Sequence, residues 1–162
     1  MQEIYTNLYV GNDNDCNKST DKDIAIIHAC KSCHQKILDY KKSLPNTDKN
    51  YLIYQNNNNN LFLNLVDMKK EFSREYTDPI MKQSLDFIEE NIHIKTVIIH
   101  CNQGMSRSPS IALLYLAKKN LISNNNYLNA KQDFLEKYKN YNPGRGIEEY
   151  LKNNWQTLIT EL

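Results

Sequence analysis

Apolar positions along the chain fall into continuous runs and alternating stretches that predict β-strands. Residues 24–29 and 96–100 are nearly continuous apolar runs, the pattern of strands buried on both faces of a sheet. Residues 4–11 alternate apolar and polar side chains and end at a glycine, which predicts one strand followed by a turn. Two β-rich segments, residues 51–55 and 61–65, flank an asparagine run and predict a hairpin.

Apolar residues spaced three and four positions apart predict helices between and after these strands. One such stripe runs from Met81 to Ile92, and Asp78-Pro79 just before it predicts the N-cap and first turn of that helix. Residues 36–43 predict a short charged helix. Three further helices are predicted at residues 111–117, 127–138 and 147–159. This alternation predicts an α/β fold with a central, mostly parallel sheet flanked by helices on both faces.

Length, charge and hydropathy narrow the class of protein. The 162 residues are enough for a single domain spanning residues 1–162 with a buried core. A formal net charge of +1 gives no argument for a nucleic-acid or membrane partner. No uninterrupted apolar run approaches the roughly 18 residues of a membrane span. The first residues lack the pattern of a signal peptide, so we expect a cytoplasmic, reducing location in which a free thiolate survives.

The stretch His-Cys-Asn-Gln-Gly-Met-Ser-Arg-Ser, residues 100–108, lies between a predicted buried strand and a predicted helix. A loop in this position can turn its backbone N–H groups inward around an anion, and the start of the helix adds partial positive charge. Arg107 can hold two oxygens of a tetrahedral dianion, and Gly104 permits the positive φ of a tight turn. These neighbours favour the thiolate form of Cys101. The stretch therefore predicts a phosphate pocket with a cysteine at its floor.

This nonapeptide resembles the signature loop of the cysteine-based phosphatases, and its form is most similar to that of the dual-specificity branch. The loop itself, residues 27–31 and the segment Asn-Pro-Gly-Arg-Gly also look like those of small bacterial and viral members. The resemblance implies a protein-tyrosine-phosphatase-like domain in which Cys101 is the nucleophile that becomes a phosphocysteine. It also implies that Arg107 binds the phosphoryl oxygens and that the Ser108 hydroxyl helps the thiolate leave. His100 is expected to orient the loop by hydrogen bonding, and no metal or cofactor is expected. The expected phosphate-binding positions are Asn102, Gln103, Gly104, Met105, Ser106 and Arg107.

A general acid must protonate the oxygen that leaves phosphorus, and Asp67 is the first candidate. It follows the second strand of the predicted hairpin, and the family carries its general acid on a loop after a strand, ahead of the cysteine. Asp78 and Asp86 are the alternatives. Asp78 precedes a proline as a helix N-cap would, and Asp86 is expected on the solvent face of the same helix, so Asp67 is preferred.

The segment Cys30-Lys31-Ser32-Cys33-His34 has the spacing of several different sites. Cys-x-x-Cys-His is the pattern of c-type haem attachment, and Cys-x-x-Cys also occurs in redox pairs and zinc sites. Haem attachment normally requires export, for which we see no signal. A zinc site needs four ligands, and Cys16 and Cys101 offer no second closely spaced pair. We therefore interpret these residues as ordinary structural cysteines, with a redox role as the main alternative.

These features predict hydrolysis of phosphate monoesters on phosphoproteins, at phosphotyrosine and also at phosphoserine or phosphothreonine. The variable loop positions within residues 102–106 carry no lysine or arginine, which disfavours a phosphoinositide substrate. The sequence has no basic patch with interleaved aromatic residues, so it gives no argument for an RNA 5′-phosphate substrate. Two other classes stay open: a phosphopeptide-binding module with an inactive site, and a redox sensor in which Cys30 or Cys33 resolves an oxidised Cys101.

Overall fold

Six strands and five α-helices make up the part of the chain that a computed structural model describes, residues 1–18, 21–57 and 59–162. The strands are β1 Gln2–Tyr5, β2 Leu8–Gly11, β3 Ile24–His28, β4 Ile53–Asn56, β5 Asn60–Leu63 and β6 Thr96–His100. The helices are α1 Lys31–Leu38, α2 Arg74–Asn91, α3 Arg107–Lys118, α4 Tyr127–Lys137 and α5 Arg145–Glu161, with a 3₁₀ helix at Asp13–Lys18. Residues 19 and 20, which follow this 3₁₀ helix, and residue 58 of the asparagine run lie outside the described residues.

The sheet has the strand order β1-β2-β6-β3-β5-β4, and its four central strands run parallel. β1 and β4 pair antiparallel at the two edges, the latter through the predicted β4–β5 hairpin. The prediction of an α/β fold with a mostly parallel sheet is therefore confirmed. In the centre, Ile24 pairs with Thr96 and His28 with His100, so β3 and β6 end side by side. The segments that follow these two strands start at the same edge of the sheet.

Both faces of the sheet are covered, as predicted. One face carries Val97, Ile99 and Cys101 and packs in the main apolar core with α2 to α5. Because side chains alternate along a strand, His28 and His100 point to the other face, where they meet the 3₁₀ helix and α1. The side chains of the consecutive residues His100 and Cys101 therefore lie on opposite faces of the sheet.

The first predicted strand is instead a hairpin of β1 and β2. Asn7 at its turn has a φ of 62°. Asparagine enters this left-handed region more easily than most residues, so a turn divides a stretch whose apolar alternation looks continuous. The polar segment after β2 contains the 3₁₀ helix Asp13–Lys18.

The predicted helix at residues 36–43 was misplaced, because α1 occupies Lys31–Leu38. Cys30, in extended conformation, is its N-cap, so the chain enters the helix almost directly from β3. The helix ends where Asp39 takes a φ of 52°. The Cys-x-x-Cys-His segment consequently lies on the first turn of a helix and not in a loop.

The predicted start of α2 was also wrong. The helix begins at Arg74, so Asp78 and Pro79 lie inside it. Arg74 forms an ion pair with Asp78 at 2.8 Å, one turn apart, which stabilises the segment before the proline. The apolar stripe from Met81 to Ile92 is buried as predicted. Neither α2 nor any other helix in the described part of the chain is long and apolar enough to cross a membrane.

Candidate active site

The loop between β6 and α3 curls tightly and is fixed by contacts from three other segments. Gly104 at its bend has a φ of 71°, and a Cβ there would lie 2.8 Å from the Gly11 carbonyl oxygen. The Tyr138 hydroxyl donates to the Gly104 carbonyl at 2.8 Å, and Asn142 N–H donates to the Met105 carbonyl at 2.9 Å. Burial raises the pKa of the Tyr138 hydroxyl, which keeps it protonated as a donor. The loop is therefore preorganised, and glycine is required at its bend.

Cys101 lies at the floor of a pocket of about 420 Å³, with only 1% of its surface exposed. The Ser108 hydroxyl is positioned to donate to Cys101 Sγ at 3.2 Å and also lies 3.4 Å from the Gly11 carbonyl oxygen. The helix α3 begins next to the pocket, and the first N–H groups of a helix have no intrahelical partners. This arrangement suits a thiolate below a bound anion.

The guanidinium of Arg107 is buried and held by three acceptors. Its Nε donates to Asp67 Oδ2 at 3.0 Å, Nη1 to the Leu65 carbonyl at 3.0 Å, and Nη2 to Asn102 Oδ1 at 3.2 Å. The Leu65 carbonyl fixes the position of the group, and the other two partners are side chains that can yield to an anion. A phosphoryl group entering the pocket therefore meets an oriented, bidentate cation.

Asp67 follows β5 at the mouth of the pocket, where 42% of its side chain is exposed. Its Oδ1 accepts from the Ser106 hydroxyl at 2.9 Å, and the same hydroxyl accepts from Gly144 N–H at 2.9 Å. The loop that carries Asp67 packs on the start of α5, where Gly146 N–H donates to the Met68 carbonyl at 3.0 Å. The carboxylate is therefore placed by contacts to both the phosphate loop and α5.

The family model described as "Dual specificity phosphatase, catalytic domain" matches residues 8–142. The chain belongs to this family. It is accordingly a cysteine-dependent phosphatase, in agreement with the thiol, guanidinium and carboxylate that meet in the pocket. The expected resemblance to the dual-specificity branch is confirmed.

Solved structures share this dual-specificity phosphatase fold at low sequence identity. DUSP15 has a TM-score of 0.65 at 17% identity, with 98% of this chain and 92% of that chain covered. The human tyrosine phosphatase-like serine/threonine/tyrosine-interacting protein has a TM-score of 0.64 at 20% identity, covering 98% and 96%. PTPMT1, solved in complex with PI(5)P, has a TM-score of 0.61 at 16% identity, covering 97% and 95%. Comparison with curated proteins gives no match.

The phosphatase pocket collects most of the residues singled out in the sequence. It is lined by Asp67, Cys101, Asn102, Gln103, Met105, Ser106, Arg107, Asn142 and Gly144. Of the remaining predicted positions, Gly104 forms the bend behind the pocket, and Ser108 lies below Cys101. Asp67 and Arg107 are the charged side chains among the described lining residues.

The alternative general acids lie elsewhere. Asp78 accepts from Arg74 and from the Tyr150 hydroxyl, the latter at 2.7 Å, and is held between α2 and α5. Asp86 pairs with Lys82 at 2.7 Å on the exposed side of α2. Neither residue lines the pocket, so Asp67 is the carboxylate that the structure brings to the thiol.

His100 does not orient the phosphate loop through its side chain as we expected. Its Nε2 lies 2.7 Å from His28 Nδ1, and its Nδ1 has no hydrogen-bond partner among the described residues. The reason is strand alternation, which turns His100 to the opposite face from Cys101. Only its carbonyl stays close to the loop, accepting from Ala29 N–H at 2.8 Å.

Sequence reasoning missed the groups that reach the pocket from distant segments. Asn142 and Gly144 line it, and the Leu65 carbonyl anchors the arginine. The turn-forming Asn-Pro-Gly-Arg segment was a signal for the first two, because such a segment between helices often serves a site. A main-chain carbonyl such as that of Leu65 leaves no side-chain signal.

Proposed function

We propose that this phosphatase hydrolyses phosphate monoesters on phosphoproteins, at phosphotyrosine and also at phosphoserine or phosphothreonine, through a phosphocysteine on Cys101. The observation that carries the proposal is the convergence of one thiol, one guanidinium and one carboxylate on a single pocket. Their exposure increases in the order Cys101, Arg107, Asp67, which suits a buried nucleophile and an acid at the mouth of the pocket.

In the first step the Cys101 thiolate attacks phosphorus and the bond from phosphorus to the substrate oxygen breaks. Loop N–H groups and Arg107 stabilise the charge that builds on the three equatorial oxygens. Asp67 transfers its proton to the leaving oxygen. The products of this step are the free alcohol or phenol, a phosphocysteine and the Asp67 carboxylate.

Substrate binding must first rearrange the Asp67–Arg107 pair. Arg107 Nε leaves Asp67, Nη2 leaves Asn102, and both donate to the phosphoryl oxygens. Nη1 continues to donate to the Leu65 carbonyl, which is 3.0 Å away in the free site. Asp67, no longer paired with the guanidinium, is then free to face the leaving oxygen. Binding of the phosphate thus prepares the acid for the step that needs it.

In the second step water attacks phosphorus, and the bond from phosphorus to Cys101 Sγ breaks. The Asp67 carboxylate accepts the proton of the attacking water. The Ser108 hydroxyl, 3.2 Å from the sulfur, donates to the thiolate as it leaves. This step releases inorganic phosphate and returns Cys101 to the thiolate and Asp67 to the carboxylic acid.

The small number of charged side chains around the pocket supports a substrate that carries a single phosphate. Asn102, Gln103, Met105 and Asn142 form uncharged walls around Arg107. A phosphoinositide carries additional phosphates that would call for further cations at these positions. A phosphorylated side chain that enters from a protein surface needs only the one cation present among the described lining residues.

The test is hydrolysis of nitrophenyl phosphate and of phosphotyrosine and phosphothreonine peptides, without added metal ions. Wild type should turn over all three, and Cys101→Ser should be inactive. Asp86→Asn, which changes a carboxylate on the exposed side of α2 outside the pocket, should retain turnover. An inactive wild type that still binds a phosphopeptide would make the chain a binding module. Preferred hydrolysis of phosphoinositides or RNA 5′-phosphates would refute the substrate class and leave the chemistry intact.

A further inference from the structure

A second cluster of reactive side chains lies behind the phosphate loop, on the opposite face of the sheet. Cys16, His28, Cys33 and His100 each offer one ligand atom, and these four atoms lie within 4.8 Å of one another. They come from the 3₁₀ helix, the end of β3, the first turn of α1 and the end of β6. We propose that this cluster binds a structural zinc ion.

The separations between the ligand atoms suit a tetrahedral zinc site. Bonds of about 2.3 Å to sulfur and about 2.0–2.1 Å to nitrogen place two sulfurs about 3.8 Å apart, and a sulfur and a nitrogen about 3.6 Å apart. Cys16 Sγ lies 3.7 Å from Cys33 Sγ and 3.6 Å from His28 Nδ1. His28 Nδ1 and His100 Nε2 are 2.7 Å apart, and the two rings must separate by about 0.6 Å to bind one ion.

The histidine pair provides an observation independent of the cysteines. His100 is fully buried, yet its Nδ1 has no hydrogen-bond partner among the described residues. No partner therefore fixes the position of the proton on this ring, and Nε2, the nitrogen that faces His28, can bind an ion once the proton is on Nδ1. His28 Nε2 donates to Asn60 Oδ1 at 3.0 Å, which leaves a lone pair on Nδ1, the nitrogen that faces the cluster. Zinc displaces the proton between the two rings, and His100 then carries its proton on Nδ1.

A bound metal ion deprotonates a coordinating thiol outright, so zinc binding would release the protons of the Cys16 and Cys33 thiols.

Cys30 lies beside the cluster, and we assign it to a supporting role. Its thiol donates to Cys33 Sγ at 3.1 Å, far longer than the roughly 2.05 Å of a disulfide. A redox pair would use these two cysteines alone and would give no role to Cys16 or the two histidines. A thiol that donates to a metal-bound sulfur instead orients that ligand.

The proposed ion would support the phosphate loop from the side away from the substrate. The 3₁₀ helix that carries Cys16 also contacts the loop, because Asp13 N–H donates to the Asn102 carbonyl at 3.3 Å. His100 immediately precedes the nucleophile in the chain. Ligands from four elements would hold these segments together without taking part in hydrolysis.

The first measurement is the metal content and Co²⁺ spectrum of the wild-type chain and of Cys101→Ser. The Cys101→Ser control removes the pocket thiol as an alternative ligand. Both proteins should retain one zinc ion per chain. Co²⁺ exchange should produce the visible bands of tetrahedral cobalt and the charge-transfer absorption of two thiolates. This readout does not require any ligand variant to fold.

Variants then assign the ligands. Cys16→Ser and Cys33→Ser should weaken zinc binding by more than about 100-fold, and Cys30→Ser by less than that, the range for loss of an outer partner. A chelator should lower the melting temperature of wild type and Cys30→Ser but not that of Cys16→Ser. A zinc-free wild type with a Cys30–Cys33 disulfide would overturn the proposal. Equal zinc loss in Cys30→Ser and Cys33→Ser would overturn the ligand assignment.

Discussion

Asp67→Asn separates the proton-donor role of this residue from its contacts in the free site. Asparagine keeps an oxygen that can accept from the Ser106 hydroxyl, which lies 2.9 Å from Asp67 Oδ1. It removes the negative charge that faces Arg107 Nε at 3.0 Å. Because 42% of the Asp67 side chain is exposed, this ion pair contributes about 0.2–1 kcal/mol at most. We expect the variant to fold and to melt within a few degrees of wild type.

The effect on catalysis should be much larger than the effect on stability. Proton transfer from a positioned acid contributes about 10²–10⁴-fold in rate, or about 2.7–5.5 kcal/mol of barrier. This loss should appear in full on a phosphotyrosine peptide, whose phenoxide leaves poorly without a proton. Nitrophenyl phosphate, whose leaving group departs as an anion, should lose less than about tenfold. Arg107, released from the carboxylate, should bind vanadate up to about fivefold more tightly.

The assay is kcat on the two substrates for wild type, Asp67→Asn and a matched control, Asp78→Asn. Asp78 is bound by Arg74 and Tyr150 away from the pocket, so its variant should keep wild-type kcat on both substrates. Equal losses on both substrates in Asp67→Asn would refute its role as proton donor. A substrate-selective loss in Asp78→Asn would place the acid on α2.

Three further predictions concern the neighbouring groups. Ser108→Ala should leave the rate of the first step unchanged and slow thiolate departure in the second step by about 10²–10³-fold. Rapid mixing with nitrophenyl phosphate should therefore show a burst of one nitrophenol per enzyme, and a linear trace would contradict this. Arg107→Lys cannot hold the Leu65 carbonyl and two phosphoryl oxygens together, so kcat/KM should fall by at least about 10²-fold, with vanadate affinity as the accompanying measurement. Gly146→Ala places a methyl group against the Met68 carbonyl, which should lower the free energy of unfolding in denaturant by about 1–3 kcal/mol. It should also lower kcat by displacing the loop that carries Asp67. Unchanged values would show that this loop adapts.

The phosphate loop could be predicted because its functional residues lie close together in the sequence. Cys101, Gly104 and Arg107 lie within one turn between a buried strand and a helix, so backbone geometry alone brings them together. The apolar runs of β3 and β6 were equally direct, since both strands lie in the centre of the sheet. Asp67 was preferred on the family resemblance, which carries the general acid on a loop after a strand, and the carboxyl end of β5 lies at the same edge as the phosphate loop.

Other features depend on contacts between distant segments, which local patterns do not encode. The start of α2 was wrong because Asp78-Pro79 has the local signature of a helix N-terminus, whereas the ion pair with Arg74 extends the helix by a turn. The imidazole of His100 points away from the loop because side chains alternate along β6, so that it meets His28 on the face opposite Cys101. The pairing of His28 with His100 follows from strand order, and strand order is not visible in the spacing of the cysteines.

The phosphocysteine on Cys101 can be trapped and identified directly. Ser108→Ala should be mixed with nitrophenyl phosphate, quenched in acid within the burst and digested for mass spectrometry. We expect one added phosphoryl group on the peptide that contains Cys101, and none when Cys101→Ser is combined with Ser108→Ala. Turnover without a phosphorylated Cys101 peptide, or a phosphoryl group that persists in the Cys101→Ser protein, would contradict it.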